Sequence, residues 1–142
     1  MFRAFPMIVI AVILYNLTVF GGLAAGAHDM PALLAQKFAI HLFSGDNWTV
    51  TLSDLFLALA LAMLFIETIK ATRTTKREIV NHALSMLTFI GALVEFIVLK
   101  GFGTSTFFFI TAMTLFDVVA GYTISIVAAR RGMAVEHHDY ED

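Results

Sequence analysis

The sequence predicts an all-α integral membrane protein: a four-helix bundle, up-down-up-down, with a short amphipathic interfacial helix between spans one and two. Two observations carry this expectation. Four apolar runs, at about residues 7–27, 52–69, 79–99 and 106–129, are each long enough to cross a hydrocarbon core of roughly 30 Å at about 1.5 Å per residue. The joints between the runs also segregate charge. With four crossings, Arg3, Lys70, Arg73, Lys76, Arg77, Arg130 and Arg131 share one side, and only Lys37 and Lys100 fall on the other. Cytoplasmic loops carry such an excess of basic residues, so both termini are expected in the cytoplasm, and a bacterial inner membrane is the expected location.

Composition agrees with this class. Of the 142 residues, 59% are hydrophobic and 14% charged, which suits neither a soluble globule nor a disordered chain. A bilayer core leaves helices or a closed barrel as the ways to satisfy the backbone. Barrel strands alternate polar and apolar residues over about ten positions, and residues 55–66 do not alternate. The net charge of −2, with no basic stripe outside the joints, gives no reason to expect a nucleic acid as partner. The absence of cysteine removes disulfides, thiolate zinc sites, iron–sulfur clusters and cysteine nucleophiles.

The first run has two readings. Arg3, an apolar stretch over residues 7–20 and the small residues Ala25, Gly26 and Ala27 fit a cleavable secretory signal. Retention as a first span is favoured, because the apolar stretch continues to a full membrane width. The joint that follows, residues 28–51, predicts the interfacial helix at about residues 31–44. Asp29 stands as a cap before Pro31. Leu33, Leu34, Phe38, Leu42 and Phe43 recur at helical spacing, and Gly45 ends the pattern. Trp48 then sits where an indole ring anchors at headgroup level.

Thr51 and Asp54 have the spacing of a capping box for the second span, and Thr75 and Glu78 repeat it for the third. The short basic joint between residues 70 and 77 predicts an antiparallel hairpin of spans two and three. Gly101 and Gly103 supply the turn into span four. Residues 132–142 form an acidic cytoplasmic tail, expected to be disordered.

Ionisable residues at membrane depth are expensive and mark candidate sites. Asp117 is the deepest, about a dozen residues from either end of span four. Thr114, Gly121, Ser125 and Ala128 share its helical face, a small and polar seam that faces protein. Span three offers a matching seam of Asn81, Ser85, Thr88, Ala92 and Glu95. Ordered by depth, the polar side chains make three tiers: Glu95 outermost; Asp117 with Asn16 and Thr88 in the middle; and Glu67 with His82, or with Asn81, at the cytoplasmic side. Asp117, Glu95, Asn16, Thr88 and Thr114 are the candidate proton- or cation-binding residues. The bland alternative is that these groups pin helices together.

Other chemistries find less support. The one intramembrane histidine, His82, lies near an edge, so a haem with two axial histidines is not expected. His137 and His138 belong to the tail, and no metal site or cofactor is expected. No nucleophile–histidine–acid spacing or phosphate loop is present, so the chain is not expected to be an enzyme. Two functions of different class then remain. The leading one is a small accessory or scaffold subunit that binds lipid and other membrane proteins, or copies of itself. The alternative is a small oligomeric proton- or cation-coupled transporter or channel that uses the intramembrane carboxylates.

Overall fold

A computed structural model describes residues 5–26, 29–71 and 78–138, with side chains for all of these except 78–79 and 128–138. The elements are α1 (Val9–Ala24), α2 (Met30–Leu34), β1 (Lys37–His41), β2 (Asn47–Thr51), α3 (Leu52–Ala71), α4 (Glu78–Val98) and α5 (Ser105–His138). The chain is mostly helical. Three helical segments, Leu52–Ala71, Val80–Val98 and Ser105–Val127, are long and apolar enough to cross a membrane.

α5 lies between α3 and α4, and these two interfaces are the most extensive in the molecule. α1 packs mainly on α3 and touches α4 and α5. It is shorter than the expected first span: 16 residues, or about 24 Å against a hydrocarbon core of roughly 30 Å. Residues 6–8 form a turn before it, with Val9 N–H bonded to Pro6 C=O and Ile10 N–H to Met7 C=O. Its other end stops at Gly26, whose φ of 84° is open to glycine and closed to most other residues.

The interfacial helix expected at residues 31–44 is not formed. Asp29 Oδ1 does accept from Ala32 N–H at 3.2 Å, and Pro31 does lie in the first turn, but α2 ends at Leu34. The chain then enters an antiparallel hairpin in which Phe38 pairs with Val50 and Ile40 with Trp48. The reason is periodicity. Phe38, Ile40 and Leu42 alternate with Ala39 and His41, and Trp48 and Val50 alternate with Asn47, Thr49 and Thr51. That is a strand pattern rich in aromatic and β-branched residues. Gly45, expected to end a helix, instead makes the hairpin turn at φ 91°.

β2 runs into α3 without an intervening residue. The expected capping box is present: Asp54 N–H bonds to Thr51 Oγ1 at 3.1 Å, and the Asp54 carboxylate accepts from Thr51 N–H at 2.8 Å. The second expected box rests on Thr75, outside the described residues. The turn from α4 to α5 uses Gly101 at φ 92°, where a Cβ would stand 3.0 Å from Val19. α5 does not stop at the expected span end. Its backbone stays helical through His138, into the expected disordered tail, where Gly132 is the weakest helix former and no proline intervenes.

The apolar core lies towards the α4–α5 turn. Tyr15 of α1, fully buried, meets the rings of Phe56, Phe102 and Phe107 at centroid separations of 5.4, 5.8 and 4.7 Å. Its hydroxyl bonds to Thr104 Oγ1 at 2.6 Å, and Thr104 Oγ1 in turn accepts from Phe107 N–H at 3.2 Å, capping α5. Ser53 and Thr106 join α3 to α5 nearby at 2.7 Å. Removing the Tyr15 ring (Tyr15→Ala) should cost about 3–5 kcal/mol, as aromatic truncations in packed cores do. Tyr15→Phe should cost only about 1 kcal/mol, because Thr104 keeps its capping bond. Unfolding of both variants in mild detergent checks the ratio, and equal losses would place the weight on the hydroxyl instead of the ring.

Candidate functional site

The buried polar side chains of the described residues are not spread evenly. Glu67, Asn81, His82, Ser85, Thr114 and Asp117 gather where α3, α4 and α5 meet. Each reaches the interior because its helix is apolar on the flanks and small or polar along one stripe. Asn81 and Ser85 are four residues apart, as are Asp117 and Gly121, so each pair stacks on a single helical face.

Glu67 is a clasp. It is 2% exposed, and its Oε2 accepts from Met7 N–H and from Lys70 Nζ, both at 2.9 Å. Its Oε1 accepts from Asn81 Nδ2 at 2.6 Å. Lys70 also donates to Phe5 C=O at 2.9 Å. One carboxylate therefore fastens the approach to α1, its own helix and α4, with a cation to balance its charge. Buried charges are tolerated on such terms.

His82 does not bond to Glu67. Its Nε2 pairs with Ser125 Oγ on α5 at 2.8 Å, and its ring lies near Tyr122 at a centroid distance of 5.2 Å. A Cβ on Gly121 would stand 2.6 Å from His82 Cε1 and Nδ1, so the imidazole rests on the α5 backbone. Gly121 is what lets α4 and α5 approach at this level.

Asp117 has a different environment. It is 5% exposed, and its Oδ2 is buried with no hydrogen-bond partner among the described residues. Ser85 Oγ lies close to the carboxylate without the geometry of a hydrogen bond and is itself unpartnered. Asn81 Oδ1, one turn away on α4, is unpartnered too. The Glu67 carboxylate, the His82 ring and the Lys70 ammonium are within electrostatic reach of Asp117. All three unpartnered buried side-chain atoms of the described residues are therefore oxygens: Asn81 Oδ1 and Ser85 Oγ on one face of α4, and Asp117 Oδ2 on α5. Each costs about 1–3 kcal/mol if left without a partner, and more if charged.

The remaining candidates lie elsewhere or are already bonded. Asn16 does not meet Asp117. It donates to Glu95 Oε2 at 2.9 Å and to its own Val12 C=O at 3.1 Å, joining α1 to α4. The expected middle tier of Asp117, Asn16 and Thr88 is thus not assembled. Thr88 Oγ1 donates to Leu84 C=O and Thr114 Oγ1 to Thr111 C=O, each within its own helix. Ser85 and Asn81 were legible as members of a packing seam, but nothing in their spacing marked Ser85 as a companion of Asp117 or Asn81 as the partner of Glu67. No group of three or more His, Asp or Glu side chains suited to a metal ion occurs among the described residues.

Gly121→Ala should force the His82 ring off α5 and cost about 1–3 kcal/mol, the usual range for overpacking. His82→Ala should then be less harmful in the Gly121→Ala background than in the parent. A double-mutant cycle read by unfolding in detergent measures this coupling, and strict additivity would contradict the contact.

Comparison with protein-family models, with curated proteins and with solved structures found no match.

Proposed function

We propose that this chain is a four-span membrane protein with both termini in the cytoplasm, and that it binds a proton or a small monovalent cation at Asp117. The observation that carries the reading is the pair of buried oxygens Asp117 Oδ2 and Ser85 Oγ, close to one another between α5 and α4 and without a geometric hydrogen-bond partner among the described residues. The Ser85 hydroxyl has one proton to offer, which offsets the full charge of an ionised carboxylate only in part. A proton on Asp117 turns the carboxyl into a donor towards Ser85. A small cation would take the same two oxygens as ligands, since hard cations select carboxylate and hydroxyl oxygen. Either one neutralises a carboxylate that lipid-side burial otherwise makes costly. Residues 6–26 support a first span as turn plus helix, and the basic joints then segregate as described. Transport would follow if the site is reached alternately from the two sides. Four helices enclose little space, so an oligomer is the natural form.

A second reading, the accessory or scaffold subunit, draws on other contacts. Glu95 is bound by Asn16, and Glu67 is fully engaged, so these two carboxylates act as helix fasteners. In that reading Asp117 is a third group that pins helices together from inside the bundle, and the partner proteins bind elsewhere.

Asp117→Asn separates the two. The substitution keeps shape and removes the charge. On the ion-binding reading, wild-type melting in detergent shifts with pH or with sodium or potassium, and proteoliposomes show a matching flux. The Asn variant folds, melts without that dependence and loses the flux. If wild type and variant are equally silent, and purification in mild detergent recovers a stable larger complex, the accessory reading stands instead.

A further inference from the structure

The hairpin beyond α2 has two chemically distinct faces. Strand alternation places Phe38, Ile40, Trp48 and Val50 on one side, with Lys37, His41, Asn47 and Thr49 on the other. Only Val50, next to the junction with α3, is buried. Moving away from that junction the apolar face leaves the core of the described chain: Phe38 is 52% exposed, and the cross-strand pair Ile40 and Trp48 is 47% and 56% exposed. A lone two-stranded hairpin with such a face is marginal in water.

We propose that this face lies on the outer leaflet of the bilayer, at the boundary between headgroups and acyl chains, and that the hairpin works as an interfacial anchor. The occupant is argued from continuity. β2 passes into α3 with no linker, so the hairpin begins at the depth where α3 begins. The exposed Leu55 in the opening turns of α3, and Leu61 and Phe65 beyond, are the surface a span offers to lipid. The exposed apolar residues of the hairpin thus continue, along the chain, those of α3. Indole rings favour this zone, apolar on one side and wet on the other. The polar face keeps its own order through the pair His41 Nδ1 and Asn47 Oδ1 at 2.9 Å, as a water-facing side would.

Trp48 is the sole tryptophan, so its fluorescence reports this face alone. The test places the full chain in vesicles of phosphatidylcholine and phosphatidylglycerol, with brominated lipids carrying bromine at either a shallow or a deep acyl position. The expected result is blue-shifted emission, strong quenching by shallow bromine and weaker quenching by deep bromine, independent of protein-to-lipid ratio. Ile40→Lys should shift the emission to the red and reduce the quenching. Should that variant fail to fold, the wild-type depth profile still decides the matter. Free access of iodide with no bromine quenching would put the face in water and overturn the proposal. Protection from both quenchers, growing with protein-to-lipid ratio, would mean that a second copy covers it, and that also overturns it.

Discussion

A polar atom buried where neither water nor a hydrogen-bond partner can reach it is the constraint on which this structure turns. Around helices as apolar as α3, α4 and α5, the surroundings offer nothing to a stray carboxylate. The chain meets this demand nearly everywhere with its own groups. Threonines bond back to their helices, Asn16 meets Glu95, His82 meets Ser125, and Glu67 takes three donors. Among the described residues, Asp117, Ser85 and Asn81 hold the exceptions.

The architecture explains why the exceptions fall there. α1 is fastened just before its start, by the Glu67 clasp on Met7, and near its middle, by the aromatic cluster around Tyr15. α5 is held at its start by Thr104 and Ser53 and further along by the close approach of His82 to Gly121. Between these fixed points α4 and α5 present Ser85 and Asp117 to one another. Rigid supports on both sides keep that pair of oxygens close while leaving them unbonded.

Much of the fold was legible from length and hydropathy. α3, α4 and the apolar part of α5 declare themselves as long apolar runs, and Thr51 with Asp54 marks the entry to α3. The hairpin was not legible in the same way. Phe38 and Leu42 are four apart and two steps of two apart, so they satisfy a helical and a strand period together. The deciding signal was the echo of that alternation in Trp48 and Val50 across Ser44, Gly45 and Asp46. Depth alone marked Asp117 as a buried carboxylate, and helical spacing marked the face of α4 that carries Asn81 and Ser85. Partner choice was out of reach, because one residue of helix rotation is about 100° and decides whether Asn16 faces Asp117 or Glu95. A 34-residue α5 was equally hidden, since the polar sequence after Arg131 suits helix and disorder alike.

Infrared difference spectroscopy of the reconstituted protein tests the central claim most directly. A carboxyl group that exchanges a proton or cation changes its carbonyl stretch when pH or monovalent salt is stepped, and the band is assigned by its disappearance in Asp117→Asn. The account predicts such a band, sensitive in frequency to Ser85→Ala because that hydroxyl is the nearest companion. A spectrum in which Asp117 keeps one protonation state and one frequency across the whole range of pH and salt would contradict it, and would make the carboxyl a fixed part of the packing.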